Sequence, residues 1–313
     1  MSALLQQIKW KNMAFPLIGL LVFLFFWQIA ASQVKTTLGA LPGPVATAQQ
    51  FMGLVHEHEA EQVKKTAFYQ RQEQRNADKL KENPDAKVMI RPYTGRPTFF
   101  DQIGTSLLTV ATGFGIASLI AIPMGIILGL NRWMYQALNP VIQILKPVSP
   151  LAWLPLVTMV VSAVYSTDNP LVAKSFINSA FTVTLCSLWP TLLNTIVGVA
   201  NIEPDLKNVS RVLKLDPITH VRKIVLPSAI PMIFTGLRLS LGVAWMVLIA
   251  AEMLAQNPGL GKFVWDEFQN GSSQSLARIM VAVFTIGVIG FMLDRGMLQL
   301  QKWFSWDKRS ELR

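Results

Sequence analysis

Long apolar stretches without charged residues recur along most of the chain, separated by shorter polar stretches. A helix needs about 20 predominantly apolar residues to cross a bilayer. The pattern therefore predicts six transmembrane helices, at residues 14–32, 104–130, 141–164, 175–200, 230–254 and 276–300. The first is longer than the apolar core of a signal peptide, so we expect it to be retained. The predicted fold class is an all-α polytopic membrane protein.

Residues 33–101 form the one stretch with the composition of a soluble region. Its charged segment at 45–81 predicts a long helix, and the largely polar stretch at 70–87 predicts flexibility. His56 and His58 suggest a metal site, but residues two apart point to different faces of a helix. We therefore interpret this segment as a solvated helix face, with metal binding as the alternative.

A basic polar segment at residues 201–228, here called the elbow, interrupts the apolar stretches. Glu203 and Asp216 each precede a proline, which is typical of helix starts, so two short helices are expected with a break near Lys214. Helical spacing in the first helix separates a basic from an apolar face: Lys207, Arg211 and Lys214 against Leu206, Val209 and Leu213. Such an elbow is suited to being held by another protein.

The end of the elbow, I-V-L-P at 224–227, resembles the I-x-L-P ending of the cytoplasmic loop in ABC-importer permeases. The family pattern puts E-A-A on Asn208, Val209 and Ser210 and glycine on Lys214, so the ending matches and the beginning does not. Because positive φ is strained for lysine, Lys214 predicts a turn that is not left-handed. The run at 236–254 resembles the nitrate, sulfonate and taurine branch, with nitrate permeases the nearest, and the likeness extends from about residue 104 to the C-terminus.

This resemblance implies a type I ABC-importer permease that pairs with an identical copy in the membrane. Separate ABC ATPase subunits would hydrolyse ATP, and a soluble or lipid-anchored binding protein would deliver the substrate. The expected cargo is a small oxyanion, nitrate or nitrite first, with bicarbonate, cyanate, aliphatic sulfonates or taurine as alternatives. The residues expected to couple the permease to the ATPase are Asn208, Val209, Ser210, Leu213, Lys214, Leu226 and Pro227.

The distribution of charge predicts the topology. The net charge is +10, but basic residues flank apolar spans instead of forming one patch, so membrane lipid and not nucleic acid is the expected partner. Six spans put both termini on the side of the basic elbow, which the positive-inside rule makes cytoplasmic. We therefore expect a bacterial inner-membrane protein with four parts: an N-terminal transmembrane helix (1–32), a periplasmic polar helical region (33–101), a core permease domain (102–300) and a cytoplasmic tail (301–313).

Polar residues within the spans are the candidates for a substrate pathway. Arg238, Trp245 and Glu252 are spaced seven apart, which predicts one stripe on the fifth span. The guanidinium of Arg238 offers planar donors suited to a small oxyanion, although a structural role, as an ion pair with Asp294 or a contact across a dimer interface, is an equal alternative. Glu252 is expected to shape the interface or gate near the outer end. Lys146 either snorkels to the cytoplasmic interface or faces the pore.

The sequence carries no signature of an enzyme. It has no Walker motif, no Ser/His/Asp set in a sensible context and no His/Cys metal spacing, and Cys186 lies within a predicted span. We therefore expect a transport subunit with no catalytic residue, cofactor or metal. An ATP-independent secondary transporter or channel is the alternative from another class, and the elbow disfavours it. A membrane-anchored interaction protein that works through residues 33–101 would leave the polar fifth span unexplained.

Overall fold

The computed structural model describes residues 2–36, 39–83, 87–165, 172–272 and 274–304, and helices dominate it. The helices are α1 (Ser2–Gln33), α2 (Pro44–Glu82), α3 (Phe99–Leu130), α4 (Arg132–Leu145), α5 (Pro150–Val164), α6 (Lys174–Ala200), α7 (Pro204–Val212), α8 (Pro217–His220), α9 (Leu226–Ala255), α10 (Leu260–Asn270) and α11 (Ser275–Phe304). Within the described residues, extended pairing is limited to two-residue antiparallel strands, β1 (Lys35–Thr36) and β2 (Gly39–Ala40). The predicted all-α fold is confirmed.

The chain divides into two compact units. Unit 1 comprises Met1–Phe100 and Val264–Phe284, and unit 2 comprises Asp101–Phe263 and Thr285–Arg313. Helices α10 and α11 each contribute residues to both units. The elbow and all the candidate pathway residues belong to unit 2.

Helices α3 and α6 pack closely and run parallel within unit 2. A Cβ atom at Gly113 would lie 2.7 Å from the carbonyl oxygen of Ala180, and one at Gly129 would lie 2.6 Å from Cβ of Val199. The Thr184 hydroxyl also donates to the Gly113 carbonyl oxygen at 3.0 Å. Gly113 lies beside Ala180, and Gly129, further along α3, lies beside Val199, further along α6. The two helices therefore run in the same direction. The glycines thus admit a neighbouring backbone, as predicted for a helix inside the bundle.

The parallel arrangement of α3 and α6 decides how many spans the chain has. Two parallel spans must be joined by a segment that crosses back, and α4 and α5 are that segment, bent by 100°. Five single helices of the described chain are long and apolar enough to cross a membrane, and the count is six when the bent pair is taken as one span. The third span, predicted at 141–164, is thus not one continuous helix: the bend falls within it, and the bent pair begins earlier, at Arg132. Pro147 and Pro150 remove backbone donors that a straight helix would need there.

The elbow continues without a break into the next span. Residues Pro217–Ala255 form one continuous helix of 39 residues, made of α8, a π-helical turn at Val221–Val225, and α9. At about 1.5 Å per residue this helix is roughly 58 Å long. The hydroxyl groups of Thr191 and Ser240 hydrogen-bond at 2.7 Å and join α6 to α9.

Helix α2 in unit 1 is longer and more ordered than its composition indicates. The predicted helix at 45–81 is confirmed and runs to Glu82. The predicted flexibility of 70–87 is therefore wrong for 70–82, while residues 84–86 lie outside the described residues. One reason is that the Gln72 side chain pairs with the backbone of Arg91, which was not foreseeable from composition.

The close approach of α3 to α6 leads to a prediction about stability. Replacing Gly113 by alanine should lower the free energy of unfolding of the purified protein by about 1–3 kcal/mol, and with it the melting temperature, because the new methyl group meets the α6 backbone. Gly115→Ala on the same helix is the matched control, since a Cβ there has nothing within 4 Å. Thermal unfolding of both variants in detergent is the measurement. Equal melting temperatures for the two variants would contradict the packing described for α3 and α6.

Candidate functional site

The elbow has the two predicted helices, and one of the two predicted caps is present. The Asp216 carboxylate accepts a hydrogen bond from the Thr219 backbone N–H at 3.1 Å and so caps α8. Hydrogen bonds from the Thr219 hydroxyl and N–H hold the pKa of Asp216 below its usual range, which favours the charged capping form. Among the described residues, the side chain of Glu203 makes no capping hydrogen bond to α7.

The break between α7 and α8 is a left-handed turn at Lys214, whose φ is 46°. The Leu215 N–H donates to the Ser210 carbonyl oxygen and the Lys214 N–H to that of Arg211, both at 3.1 Å. These two bonds are the Schellman pattern that ends many helices, usually with glycine at the left-handed position. The prediction that lysine prevents a left-handed turn is wrong. The closing hydrogen bonds impose the conformation despite its cost for a side chain with a Cβ.

A buried hydrogen bond joins the helices of the elbow, and apolar side chains are exposed on its surface. Ser210 is buried, and its hydroxyl hydrogen-bonds to Nδ1 of His220 at 2.7 Å, which joins α7 to the continuous helix. Asn208, Lys214 and Pro227 are exposed, and Leu226 is half-buried. The large apolar side chains exposed on the elbow are Leu206, Val209, Val212, Leu213 and Ile218. Val212 and Ile218 belong to this apolar face although the sequence interpretation did not include them.

Arg238 forms a two-point ion pair with Asp294 of α11. Its Nε lies 2.5 Å from Oδ1 and its Nη2 lies 2.9 Å from Oδ2. Both side chains remain more than a third exposed and line a groove of about 610 Å³. The groove is otherwise mostly apolar and also receives Thr235 and Gln301. The ion pair between Arg238 and Asp294, one of the predicted roles of Arg238, is therefore present. It lies in a groove whose volume is sufficient for a small molecule.

Of the three residues in the predicted stripe on α9, Trp245 and Glu252 do not line the groove that Arg238 lines. Trp245 is buried, and its Nε1–H donates to the Ile286 carbonyl oxygen of α11 at 2.9 Å. Gly290 faces the same indole, because a Cβ there would lie 3.0 Å from the Trp245 ring. Trp245 therefore fixes α9 to α11, and it is not among the groove-lining residues.

Glu252 is fully buried near the C-terminal end of α9. The Ser106 hydroxyl of α3 lies 2.8 Å from both carboxylate oxygens, and the Gly261 N–H donates to Oε2 at 3.0 Å. Ser106 in turn accepts from the Leu260 N–H at 2.9 Å. A Cβ at Gly259 would collide with the carboxylate. Glu252 thus fastens the turn between α9 and α10 to α3, inside unit 2.

Lys146 is exposed just after α4, at the bend before α5, and is not among the residues that line the groove. Thus Arg238 alone of the four predicted pathway residues reaches the groove. Across the described ranges, no group of three or more His, Cys, Asp or Glu side chains is arranged to hold a metal ion. His58 instead hydrogen-bonds to Thr98, and His56 lies near Glu59 on the same helix.

The left-handed turn at Lys214 predicts that glycine substitutions at two lysines of the elbow change its stability in opposite directions. Lys214→Gly should stabilise the elbow by about 1 kcal/mol, because glycine adopts positive φ without strain. Lys207→Gly, inside α7, should destabilise it by about 1 kcal/mol. Hydrogen–deuterium exchange of the α7 and α8 amides in the purified protein is the measurement. Slower exchange is expected for the first variant and faster exchange for the second, and the reverse order would exclude a left-handed Lys214.

Comparisons with known proteins agree with this architecture. The family described as "Binding-protein-dependent transport system inner membrane component" matches residues 121–305. The chain is 33% identical to the bicarbonate transport system permease protein CmpB of Synechococcus elongatus, over 94% of this chain and 92% of that protein. It is 38% identical to the nitrate import permease protein NrtB of Leptolyngbya laminosa, over 66% of this chain and 71% of that protein.

A solved structure supports the fold. The MetNI methionine ABC transporter in an inward-facing conformation superposes with a TM-score of 0.56 at 14% identity, covering 66% of this chain and 95% of the matched chain. At that identity the likeness concerns the fold, which is that of a type I ABC-importer permease. The family match spans more than half of the residues, including the elbow and the helix that carries Arg238. The chain therefore belongs to the binding-protein-dependent transport system inner membrane component family.

Proposed function

We propose that this chain is the permease subunit of an ATP-driven importer for a small oxyanion, with nitrate or nitrite as its principal substrate. Family membership supports the transport role, and the relatives named for nitrate and for bicarbonate support an anion of this kind. The observation that carries the proposal is an exposed apolar elbow at one end of a continuous helix that also carries the groove arginine. Bicarbonate is the second candidate, because CmpB matches nearly the whole chain.

An ATP-independent transporter or channel is the alternative from another class. The five exposed apolar side chains of the elbow argue against it, because a polar segment that contacts only water has no use for them. A complementary cleft on the surface of an ATPase subunit would bury this apolar face. The proposed partners are therefore ABC ATPase subunits, a substrate-binding protein and a second copy of the permease, with ATP hydrolysis assigned to the ATPase subunits alone.

We place the elbow and both termini in the cytoplasm of a bacterial cell. The ring of Phe304, at the end of α11, stacks on Phe234 near the start of α9, with 5.6 Å between centroids. The end of α11 thus lies toward the elbow end of α9. The elbow carries Lys207, Arg211, Lys214, Arg222 and Lys223, and basic residues favour the cytoplasmic side. Six crossings then return the N-terminus to this side and leave α2 outside.

The continuous helix supplies the mechanical link between ATP hydrolysis and the groove. Arg238 lies 21 residues beyond Pro217, or roughly 32 Å along the helix at about 1.5 Å per residue. Closure of the ATPase subunits would move the elbow, and an unbroken helix transmits that displacement along its axis. Arg238 would then shift relative to Asp294, and the groove would alternate between two arrangements.

Arg238 is the residue to which we assign the anion. Asp294 occupies the Nε and Nη2 edge of its guanidinium, and the anion would approach through the remaining donors, on the side of the groove. The Asp294 carboxylate lowers the free-energy cost of placing the charged arginine within a span. Its negative charge also lowers the affinity of Arg238 for an anion. A transported ion must be bound and then released, and a moderated positive charge suits that requirement.

The coupling role of the elbow gives the first functional prediction. Val209→Asp should abolish uptake and weaken co-purification of the ATPase subunits, because an unpaired carboxylate would be buried at the contact. Val209 is about half exposed in this chain, so the fold of the permease itself should survive. Asn201→Asp adds the same charge at an exposed position just before α7 and is the matched control. Normal uptake and assembly in Val209→Asp would remove the elbow from its proposed role.

The groove gives a second prediction, in which uptake and stability are measured together. Arg238→Gln should reduce anion uptake in proteoliposomes by about an order of magnitude, since losing a charge-assisted hydrogen bond costs about 1.5–3 kcal/mol. Asp294→Asn keeps the cation and should retain uptake with a lower half-saturating anion concentration.

The double variant Arg238→Gln/Asp294→Asn separates a pathway role from a structural one. It removes both charges, so no unpaired charge is left in the span, and thermal stability of the complex should recover toward that of the native protein. Uptake should stay low if Arg238 binds the anion. Recovery of uptake together with stability would show that the ion pair is structural only.

A further inference from the structure

The first half of α2 is fixed firmly within unit 1. Leu54 is fully buried, and the Glu57 carboxylate accepts two hydrogen bonds from the guanidinium of Arg278, at 3.0 and 2.6 Å. Arg278 also pairs with Glu267 of α10 at 2.9 Å. This part of α2 is thus joined by ion pairs to the start of α11, and through Arg278 to the end of α10.

The second half of α2 is covered along one side by the segment that follows it, residues 87–98, here called the strap. The Tyr93 hydroxyl donates to the Glu61 carboxylate at 2.7 Å, and the Tyr93 N–H donates to the Tyr69 hydroxyl at 3.1 Å. Gln72 donates to the Arg91 carbonyl oxygen and accepts from the Arg91 N–H, at 2.9 and 2.8 Å. The strap therefore runs back antiparallel along α2, and the two together form an ordered arm.

The arm, defined as residues 64–82 with the strap, is strongly basic. Between Lys64 and Arg96 the sequence has nine lysines and arginines against four aspartates and glutamates. All nine basic side chains are exposed. They are Lys64, Lys65, Arg71, Arg75, Lys79, Lys81, Lys87, Arg91 and Arg96. Such a surface attracts an acidic partner over distances of about a Debye length, or ~8 Å at physiological salt.

The strap also carries an exposed apolar triplet in the middle of this basic surface. Val88, Met89 and Ile90 are all exposed, Met89 by 69%, and Lys87 and Arg91 flank them. Apolar side chains, methionine especially, with arginine at their edge are typical of the centre of a protein–protein interface.

A membrane surface fits the arm less well than a protein does. A helix that lies on a bilayer carries apolar residues along one whole face. In the fully described stretch between Lys64 and Glu82, Leu80 is the one large apolar side chain that is exposed. The apolar character of the arm is therefore confined to a small patch, which matches a pocket on a protein.

From these observations we infer that the arm is the docking surface for the substrate-binding protein of this importer. The matching surface on that protein is acidic, with an apolar pocket that receives Met89 and Ile90. The inference rests on the proposed function, which places α2 on the outer side where a binding protein delivers its cargo. Attraction to the basic side chains speeds the encounter, and the apolar triplet lengthens the life of the complex.

The test uses the complete transporter in phosphatidylcholine nanodiscs and its purified binding protein. The triple variant Arg71→Gln/Arg75→Gln/Lys79→Gln should slow association about tenfold at low salt, and the difference should vanish in 1 M salt. Met89→Ser should instead speed dissociation roughly tenfold, with little change in association. ATP hydrolysis without binding protein should be the same in all variants.

The matched control neutralises acidic residues of the same helix, Glu73→Gln/Asp78→Asn/Glu82→Gln. It disturbs α2 to a similar degree but makes the arm more basic, so association should be unchanged or faster. Equal slowing by the acidic and the basic triple variants would mean that the arm is only structural, which overturns the inference. So would native association rates in the basic triple variant and a native dissociation rate in Met89→Ser.

Two further outcomes separate docking of the binding protein from lipid binding and from failure of the transport role. If the basic triple variant loses binding to vesicles of phosphatidylcholine and phosphatidylglycerol, yet binds the binding protein normally, the arm contacts lipid and the inference is wrong. If no binding protein stimulates ATP hydrolysis by the native transporter, the proposed function itself fails, and the inference fails with it. Stimulation of the native transporter with unaltered arm variants contradicts the inference alone.

Discussion

Close packing of α6 between α3 and α9 is the constraint on which the rest of the permease depends. In a bilayer the hydrophobic effect contributes little to helix association, so small residues and interhelical hydrogen bonds must provide it. Gly113 and Gly129 of α3 admit the backbone of α6, and the hydroxyl pair Thr191–Ser240 joins α6 to α9. Because α3 and α6 are parallel, the chain between them must turn back, and the bent α4–α5 pair makes this return.

The same packing makes α9 a suitable transmitter of motion. The helix is unbroken from Pro217 to Ala255, and it is fastened along its length by Ser240, Trp245 and Glu252 to three neighbouring segments. Arg238 is the charged residue of α9 that lines the groove, beside Thr235. In the proposed mechanism a displacement of the elbow would be transmitted along this helix to Arg238, while the buried contacts keep the register of the bundle.

The sequence was sufficient for features that depend on local pattern, and insufficient for features that depend on distant neighbours. The apolar spans, the two elbow helices and the helix at 45–81 follow from composition, periodicity and proline positions. The left-handed Lys214 arises because the closing hydrogen bonds of the turn outweigh the strain of a Cβ. Seven-residue spacing predicted one stripe of Arg238, Trp245 and Glu252, but it could not reveal that the Ile286 carbonyl oxygen and the Ser106 hydroxyl hydrogen-bond to the last two. The strap likewise depends on the Gln72–Arg91 contact, between residues nineteen apart.

Transport by reconstituted protein is the most direct test of the central claim, which is that this chain moves a small oxyanion only when an ATPase drives it through the elbow. Uptake of labelled nitrate and of labelled bicarbonate would be measured in proteoliposomes that contain the permease with its ATPase subunits, with ATP enclosed with the subunits. We expect uptake of one of these anions that requires both ATP and added binding protein, and none from the permease alone. Anion uptake by the permease alone, without ATPase subunits or ATP, would contradict the account.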